Sequence, residues 1–298
     1  MISQTFSQVS NKSILDQARR MMGSVGILVI CLTFGLLMFS TSAKAAATGK
    51  EMSMVSVGDF HSCALQTDGT IECWGGDFKG RATALDGTFT QISSGSKHNC
   101  ALATDGTVEC WGGYNNYGQL AAPSGTFTQI SSGFFHNCGV QTDGTIACWG
   151  SSYYDQTNAP TGTFTQVSVG GVHSCGLEID GTIECWGWNG EGQLNAPSGT
   201  FTQIGSGDFH SCAVSTDGTI ACWGDELWGQ LDAPAGKFTQ VSAGSFHSCA
   251  VKIDSTLICW GDNGKGTFDI PTGTFTQVSV GSNQSCGVQT DGTMVCWE

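Results

Sequence analysis

The chain has 298 residues, of which 40% are hydrophobic and only 12% charged, with 43 Gly and 5 Pro. That apolar share suffices for a folded core and excludes wholesale disorder. Acidic residues outnumber basic ones by 25 to 11, a surface that repels phosphate backbones and so argues against nucleic acid as a partner.

At the N-terminus, Lys12, Arg19 and Arg20 precede an apolar run at 21–39, and small residues follow with A-x-A spacing at Ala43, Ala45 and Ala47. This layout reads as a secretory signal over residues 1–45, cleaved after Ala45 or Ala47. The alternative is an uncleaved anchor, since the run is long enough to span a bilayer. Either way the remainder, 46–298, is expected to be secreted, periplasmic or on the cell surface, with membrane contact only through residues 21–39 if they are retained. Loss of residues 1–45 removes Lys12, Arg19, Arg20, Lys44 and Asp16, leaving 7 basic against 24 acidic residues, a balance near −17.

One of the 15 cysteines, Cys31, lies in the apolar run. The other 14 form pairs of identical spacing: Cys63/Cys73, Cys100/Cys110, Cys138/Cys148, Cys175/Cys185, Cys212/Cys222, Cys249/Cys259 and Cys286/Cys296. First cysteines recur every 37 residues, with one step of 38, and Pro123, Pro160, Pro197, Pro234 and Pro271 keep the same period. An even, regular set is a disulfide framework, which persists in oxidising compartments.

Each repeat reads as β throughout. In the fifth, Thr200-Phe201-Thr202-Gln203-Ile204 is rich in strand formers, and His210-Ser211-Cys212-Ala213-Val214 follows Gly207. Asp217-Gly218 marks a tight turn before Thr219-Ile220-Ala221-Cys222-Trp223-Gly224, and Gly229-Gln230-Leu231-Asp232-Ala233-Pro234 completes the unit. A three-residue Thr67-Asp68-Gly69 loop, with Gly69 left-handed, pairs Gln66 with Thr70 and sets Cys63 opposite Cys73, close enough to bridge. Ser255 replaces glycine in the sixth turn, which predicts strain of about 1 kcal/mol there.

Seven units of about 37 residues with up to four short strands predict an all-β, seven-bladed β-propeller with one hairpin disulfide per repeat. A β-solenoid is the alternative, disfavoured because a parallel coil has no use for Asp-Gly hairpins. The last copy stops at Trp297-Glu298, before a Gln-Leu-Pro segment, and residues 46–54 are expected to supply its missing element and close the ring.

The elements Gly-x-x-His-Ser/Asn-Cys-Ala/Gly-Leu/Val, Asp-Gly-Thr, Cys-Trp-Gly and Gly-Gln-Leu recur over residues 52–298 and resemble the repeats of the regulator of chromosome condensation family. Their spacing is most similar to bacterial members, including a secreted propeller that inhibits β-lactamases. The resemblance implies a seven-bladed fold and, for that relative, binding through loops on one face. The chromatin-bound members catalyse nucleotide exchange with a basic arm and a protruding insertion, neither of which is visible here. Paired cysteines in every repeat also depart from the family's usual unit.

What recurs belongs to the blade, and what breaks the symmetry is free to serve a ligand. The tryptophans Trp74, Trp111, Trp149, Trp186, Trp223, Trp260 and Trp297 read as core between blades. The histidines His61, His98, His136, His173, His210 and His247 read as structural, with Gln284 in the seventh slot; no metal or cofactor is expected. Six near-copies of His-Ser-Cys make no enzyme, because catalysis needs one oriented base and one oxyanion site.

The irregular positions lie between Cys-Trp-Gly and the proline. They are Phe78, Lys79 and Arg81; Tyr114 and Tyr117; Tyr153, Tyr154 and Asp155; Trp188 and Glu191; Asp225, Glu226 and Trp228; and Asp262 and Lys265. Equivalent loops of a ring emerge on one rim, giving a patch rich in aromatics and acids, which protein interfaces favour. Phe60, Phe135, Phe209 and Phe246 form a second candidate set, for which recurrence favours blade packing. The expected function is a monomeric extracellular protein-binding module, inhibitor or adhesion-like. A glycan-binding lectin is the alternative, with family-type nucleotide exchange or hydrolysis behind both.

Overall fold

The computed structural model describes residues 50–298; the expected signal or anchor at 1–45 lies outside the described residues. Among the described residues no helix is long and apolar enough to cross a membrane.

The described chain forms seven antiparallel three-stranded sheets, each taken in chain order as inner, middle and outer strand. The first blade runs Met52–Val57, His61–Gln66 and Ile71–Gly75, and the seventh Phe275–Val280, Ser285–Gln289 and Met294–Trp297. Inner strands surround a central cavity of about 240 Å³. The ring closes where blade 7 meets blade 1: the Val55 N–H donates to Gln277 Oε1 at 2.7 Å, and Gln277 Nε2 donates to Val55 O at 2.9 Å.

The middle–outer hairpins obey the predicted turn. Gln66 N–H donates to Thr70 O (2.8 Å), Gly69 N–H donates to Gln66 O (3.0 Å), and Gly69 has φ +85°. Asp68 Oδ1 fixes the turn by accepting the Thr70 N–H at 3.0 Å and its hydroxyl at 2.6 Å. Ser255 adopts φ +67° in the sixth turn, the left-handed conformation that glycine takes in the others.

Cys63 faces Cys73 across the hairpin, with Cα atoms 4.1 Å apart. The other six predicted pairs, Cys100–Cys110, Cys138–Cys148, Cys175–Cys185, Cys212–Cys222, Cys249–Cys259 and Cys286–Cys296, are bridged in the same way with Cα atoms 4.0 Å apart. The two ends of a bridge are not equivalent, which the uniform spacing does not reveal. Cys63, Cys100, Cys138, Cys175, Cys212, Cys249 and Cys286 sit in middle strands and are wholly buried. Cys73, Cys110, Cys148, Cys185, Cys222 and Cys259 sit in outer strands and are only partly buried, because an outer strand is the free edge of its blade. Cys296 differs from these six: it is buried in the cluster of Met52, Val55 and Met294 where the ring closes. All fourteen lie within strands and belong to the frame, not to a binding site.

Two expectations about strands differ from the structure. Each blade has three strands, not four. The Gly-Gln-Leu segment is a run of turns whose glutamine carbonyl is used on the next blade: Gln193 O accepts the Trp223 indole N–H at 2.9 Å. Nor do residues 50–54 add a strand to blade 7. Met52–Met54 belong to the inner strand of blade 1, and Met52 N–H only caps the Gly292 carbonyl of the seventh hairpin at 2.9 Å.

Apolar cores sit between blades rather than within them. Cys212 and Val214 of blade 5 pack with Phe238, Val241, Ala250 and Trp260 of blade 6. Six of the repeated tryptophans are buried to 9% exposure or less, while Trp74 is partly exposed.

A glutamine clamp crosses six of the seven interfaces. Gln203 Oε1 accepts the Val241 N–H (2.8 Å) while its Nε2 donates to the Val241 carbonyl (3.0 Å). Gln91, Gln129, Gln166, Gln240 and Gln277 do the same for Ile130, Val167, Ile204, Val278 and Val55. Met54 stands in that place in blade 1. Gln203→Leu leaves an inner-strand N–H and C=O without these partners, an expected loss of about 1–3 kcal/mol by denaturant titration; an unchanged midpoint contradicts the clamp. Peptide mapping under non-reducing conditions should find each bridge within its own hairpin. Replacing Cys212 and Cys222 together with Ala should cost about 2–3 kcal/mol.

Candidate functional site

The two rims differ in chemistry. Seven of the nine exposed large hydrophobics (Phe60, Phe78, Tyr114, Tyr117, Tyr153, Leu227 and Trp228) lie on the inner–middle loops or just after the outer strands. An antiparallel blade delivers both of those segments to the same rim. The other two, Ile179 and Ile253, sit at the middle–outer turns of the opposite rim.

Buried glutamines hold this rim in shape. Gln119, Gln156, Gln193 and Gln230 are no more than 3% exposed. Each accepts, through Oε1, the backbone N–H two residues earlier: Tyr117 at 3.1 Å, Tyr154 at 2.7 Å, Glu191 at 2.9 Å and Trp228 at 2.7 Å. Asn115 and Asn189 close the same loops by accepting the N–H groups of Leu120 (2.8 Å) and Leu194 (3.0 Å). The irregular residues therefore stand on loops whose backbone is already fixed.

An aromatic chain links sequence-predicted site residues across four blades. Tyr153 meets Tyr154 (ring centroids 4.8 Å), Tyr154 meets Trp188 (6.4 Å), and Trp188 meets Phe209 (6.2 Å). Phe209 contacts Phe134 (6.5 Å), then Phe135 (6.3 Å) and Tyr117 (5.3 Å). Phe78 with Tyr114, and Trp228 with Phe246, form separate pairs. Phe60, Phe135, Phe209 and Phe246, the second candidate set for which blade packing was favoured, thus lie on this rim; Phe60 is 60% exposed. They recur because the inner–middle loop recurs, and sequence periodicity does not separate a repeated loop residue from a repeated core residue.

Arg81 and Asp225 are 8% exposed and support their loops from beneath. Arg81 fills a glutamine slot: its Nε donates to Gly76 O, and its guanidinium lies 5.2 Å from the Phe60 ring centroid. Lys79 lies over Tyr114 (5.3 Å), and Lys265 pairs with Glu298. Asp155, at φ +60°, occupies a position that is glycine in neighbouring repeats. Glu191 and Asp262 are partly buried and Glu226 is exposed.

The histidines point between blades. His61 Nε2 lies 2.8 Å from Asn99 Oδ1 and His98 Nε2 2.6 Å from Asn137 Oδ1, while His136, His173, His210 and His247 reach Ser174, Ser211, Ser248 and Ser285 at 2.7–2.9 Å. An amide oxygen accepts only, so Nε2 carries the proton in the Asn pairs. In the seventh slot Gln284 Oε1 accepts the Ser62 hydroxyl at 3.4 Å. Desolvation pushes His98, His173 and His247 down to about 4 and His136 and His210 to about 3, and also lowers His61. A His beside a Ser is the start of a nucleophile–base pair. Here both partners are sealed from solvent, and the imidazole is a weak base.

At the mouth of the cavity the inner–middle loops form a polar belt. Ser96 and Ser282 donate to the two Asp59 oxygens (2.5 and 2.6 Å), and Ser245 lies 2.5 Å from Asp208 Oδ2 and 2.9 Å from Ser282 Oγ. The serines thus join the two carboxyl groups in one line, Asp208, Ser245, Ser282 and Asp59. Desolvation and the nearby Asp59 push Asp208 well above the ordinary carboxylate range.

The fold defines a disulfide-stapled seven-bladed propeller with exposed aromatic residues gathered on one rim. The model for the regulator of chromosome condensation (RCC1) repeat matches residues 55–81, 89–119, 127–156, 164–193, 201–230 and 238–267, and the chain belongs to this family. The seventh blade has the same three strands although the model does not match it. No curated protein matches the chain in sequence. Among solved structures it is similar to the CRINKLY WD40 ectodomain of the Arabidopsis thaliana receptor kinase ACR4, with 23% identity and TM-score 0.69 over 83% of this chain and 96% of that one. The ectodomain of the Physcomitrella patens receptor kinase CR4 gives 24% and 0.71 over 83% and 74%. Prp20p of Saccharomyces cerevisiae, described with its binding to Gsp1p and histones, gives 17% and 0.67 over 82% and 81%. At these identities the likeness is one of fold.

The histidines set the pH dependence of stability. Buried neutral, they hold fewer protons than the unfolded chain between their folded values and the ordinary 6.5. Stability is therefore full above about pH 6.5 and falls as pH drops from there toward about 4. Asp208, raised above 3.8, acts oppositely in this window, but it is one group against six. The turn aspartates, such as Asp68 at about 2, titrate below it. Tm should decline steadily from about pH 7 to about pH 4.5, and His210→Gln should flatten the slope; a level profile over that range contradicts the assignment.

Proposed function

We propose that this protein is an extracellular protein-binding module that captures its partner on the aromatic rim and catalyses nothing. The observation that carries the reading is the set of exposed aromatic side chains on one rim, held by glutamines buried beneath them. Large rings on a fixed backbone lose little entropy on contact, and such residues dominate binding energy at interfaces. Seven disulfides suit an oxidising compartment, and two similar folds are receptor ectodomains. Propellers of this type are interaction scaffolds, and Prp20p is described as a protein binder.

Replacing Tyr154, Trp188 and Trp228 together with Ala should abolish capture of the partner recovered from the native extracellular milieu, with Tm within about 2 °C of the parent. Capture that survives the triple substitution places the surface elsewhere. Tyr153, 82% exposed, could instead stack on a sugar ring. A glycan array that lights up, and goes dark in the same variant, identifies a lectin.

A further inference from the structure

We infer that the flank of blade 1 beside Trp74 docks a peptide segment of the form Gly-Gln-x-x-Ala-Pro supplied by another molecule. The chain itself shows such segments in place. Gln119, Gln156, Gln193 and Gln230 each open a Gln-x-x-Ala-Pro run that leaves the outer strand of one blade and lies against the next. In each joint the glutamine carbonyl accepts the indole N–H of the following blade, from Trp149, Trp186, Trp223 and Trp260, at 2.9–3.1 Å. The alanine, such as Ala196 or Ala233, packs on the apolar cluster between the two blades. The glycine after the tryptophan leaves room for the segment: a Cβ on Gly187 would stand 3.1 Å from Gln156 Cβ, and one on Gly261 3.3 Å from Gln230 Cα.

Between blades 7 and 1 the receiving half of this joint is present, and no segment fills it among the described residues. Trp74 is partly exposed, and no alanine from a preceding loop packs on its cluster of Met52, Val55 and Met294. Gly75 is exposed where Gly187, Gly224 and Gly261 are half-buried. The nearest neighbours of a Cβ on Gly75 would be Phe60 and His61 of its own blade. The indoles of Trp111 and Trp297 also lack an acceptor, but both rings are buried, Trp111 with Ala84 and Leu85 of blade 1 packed on its cluster. The filled joints define the occupant. A residue with positive φ precedes each glutamine: Gly118 (+79°), Asp155 (+60°), Gly192 (+85°) and Gly229 (+71°). The glutamine Oε1 then folds back onto the N–H two residues earlier, as Gln193 does onto Glu191. The segment thus makes its own turn and offers its main-chain carbonyl to the indole. A peptide that brings its turn with it gives up little conformational entropy on docking, and glycine supplies the left-handed residue at low cost.

The test uses the 298-residue protein and a fluorescein-labelled peptide with the sequence of residues 189–199, followed by anisotropy, with a scrambled peptide as comparison. Saturable binding of the first peptide is expected, with none of the second. Trp74→Phe keeps an apolar ring but removes the N–H, and should weaken binding about fivefold, the worth of one neutral hydrogen bond. Trp149→Phe makes the same change at a filled joint and should alter affinity by less than about twofold. A photoreactive benzoylphenylalanine in place of the peptide's leucine should cross-link the parent protein within residues 58–76 or blade 7. Cross-links that map elsewhere, equal losses in the two phenylalanine variants, equal binding of the scrambled peptide, or absence of saturable binding overturns the inference. The joint makes no use of Tyr154, Trp188 or Trp228, so failure of the peptide leaves the rim reading standing.

Discussion

Each blade ends, at the centre of the ring, in a strand with one unpaired edge, and the whole architecture depends on how that edge is satisfied. Seven converging strands splay around a cavity and cannot ladder with one another, yet an open strand edge is costly when buried and hazardous when exposed. The answer is a side chain with the geometry of a peptide group. One glutamine amide both accepts from and donates to a single residue of the neighbouring inner strand, as Gln166 does for Ile204. A serine one turn of the pleat further on repeats the link, as when the Ser206 N–H donates to Ser168 Oγ at 2.8 Å. The ring is thus sewn blade to blade by hydrogen bonds near its axis.

Outside that inner seam the linkage changes character. Imidazoles cross to the next blade's asparagine or serine, and indoles bond the carbonyl of a glutamine contributed by the preceding blade. The same glutamine uses its side chain to hold the rim loop above it. One residue such as Gln230 therefore joins the blade interface to the rim: its carbonyl binds Trp260, and its Oε1 fixes the backbone of Trp228. Disulfides stiffen the outer hairpin of each blade, so the rim stands on a frame secured at three radii. A rigid frame under variable loops is the arrangement in which changed loop residues alter specificity with little effect on folding.

Much of this was legible in the residues. The identical cysteine spacing and Asp-Gly turns fixed the hairpin register, because a two-residue side-chain period leaves one way to set Cys63 against Cys73. The same period is silent on burial, so it does not distinguish the sealed Cys100 from the partly open Cys110 opposite it. The tryptophans lie between blades, where their recurrence puts them, and the histidines, read as structural, reach across to the next blade. The clamp made by Gln91, Gln129 and their equivalents is not evident from the period alone; its signal is a polar residue repeated within strands of β-branched and aromatic neighbours. A fourth strand was expected from the usual blade, and the segment instead spends its backbone on the next blade's indole.

By itself the sequence determined the number of units, the sulfur pairing, the turns and the identity of the irregular loops, since these depend on local chemistry and on a period. Only the tertiary structure decided that Phe60 and Phe209 share a rim with Tyr154 and Trp228, that Arg81 turns inward, and that Asp59 and Asp208 meet through serines of other blades. Those relations join residues tens to hundreds of positions apart. They exist only once the ring has closed and brought equivalent loops to one face.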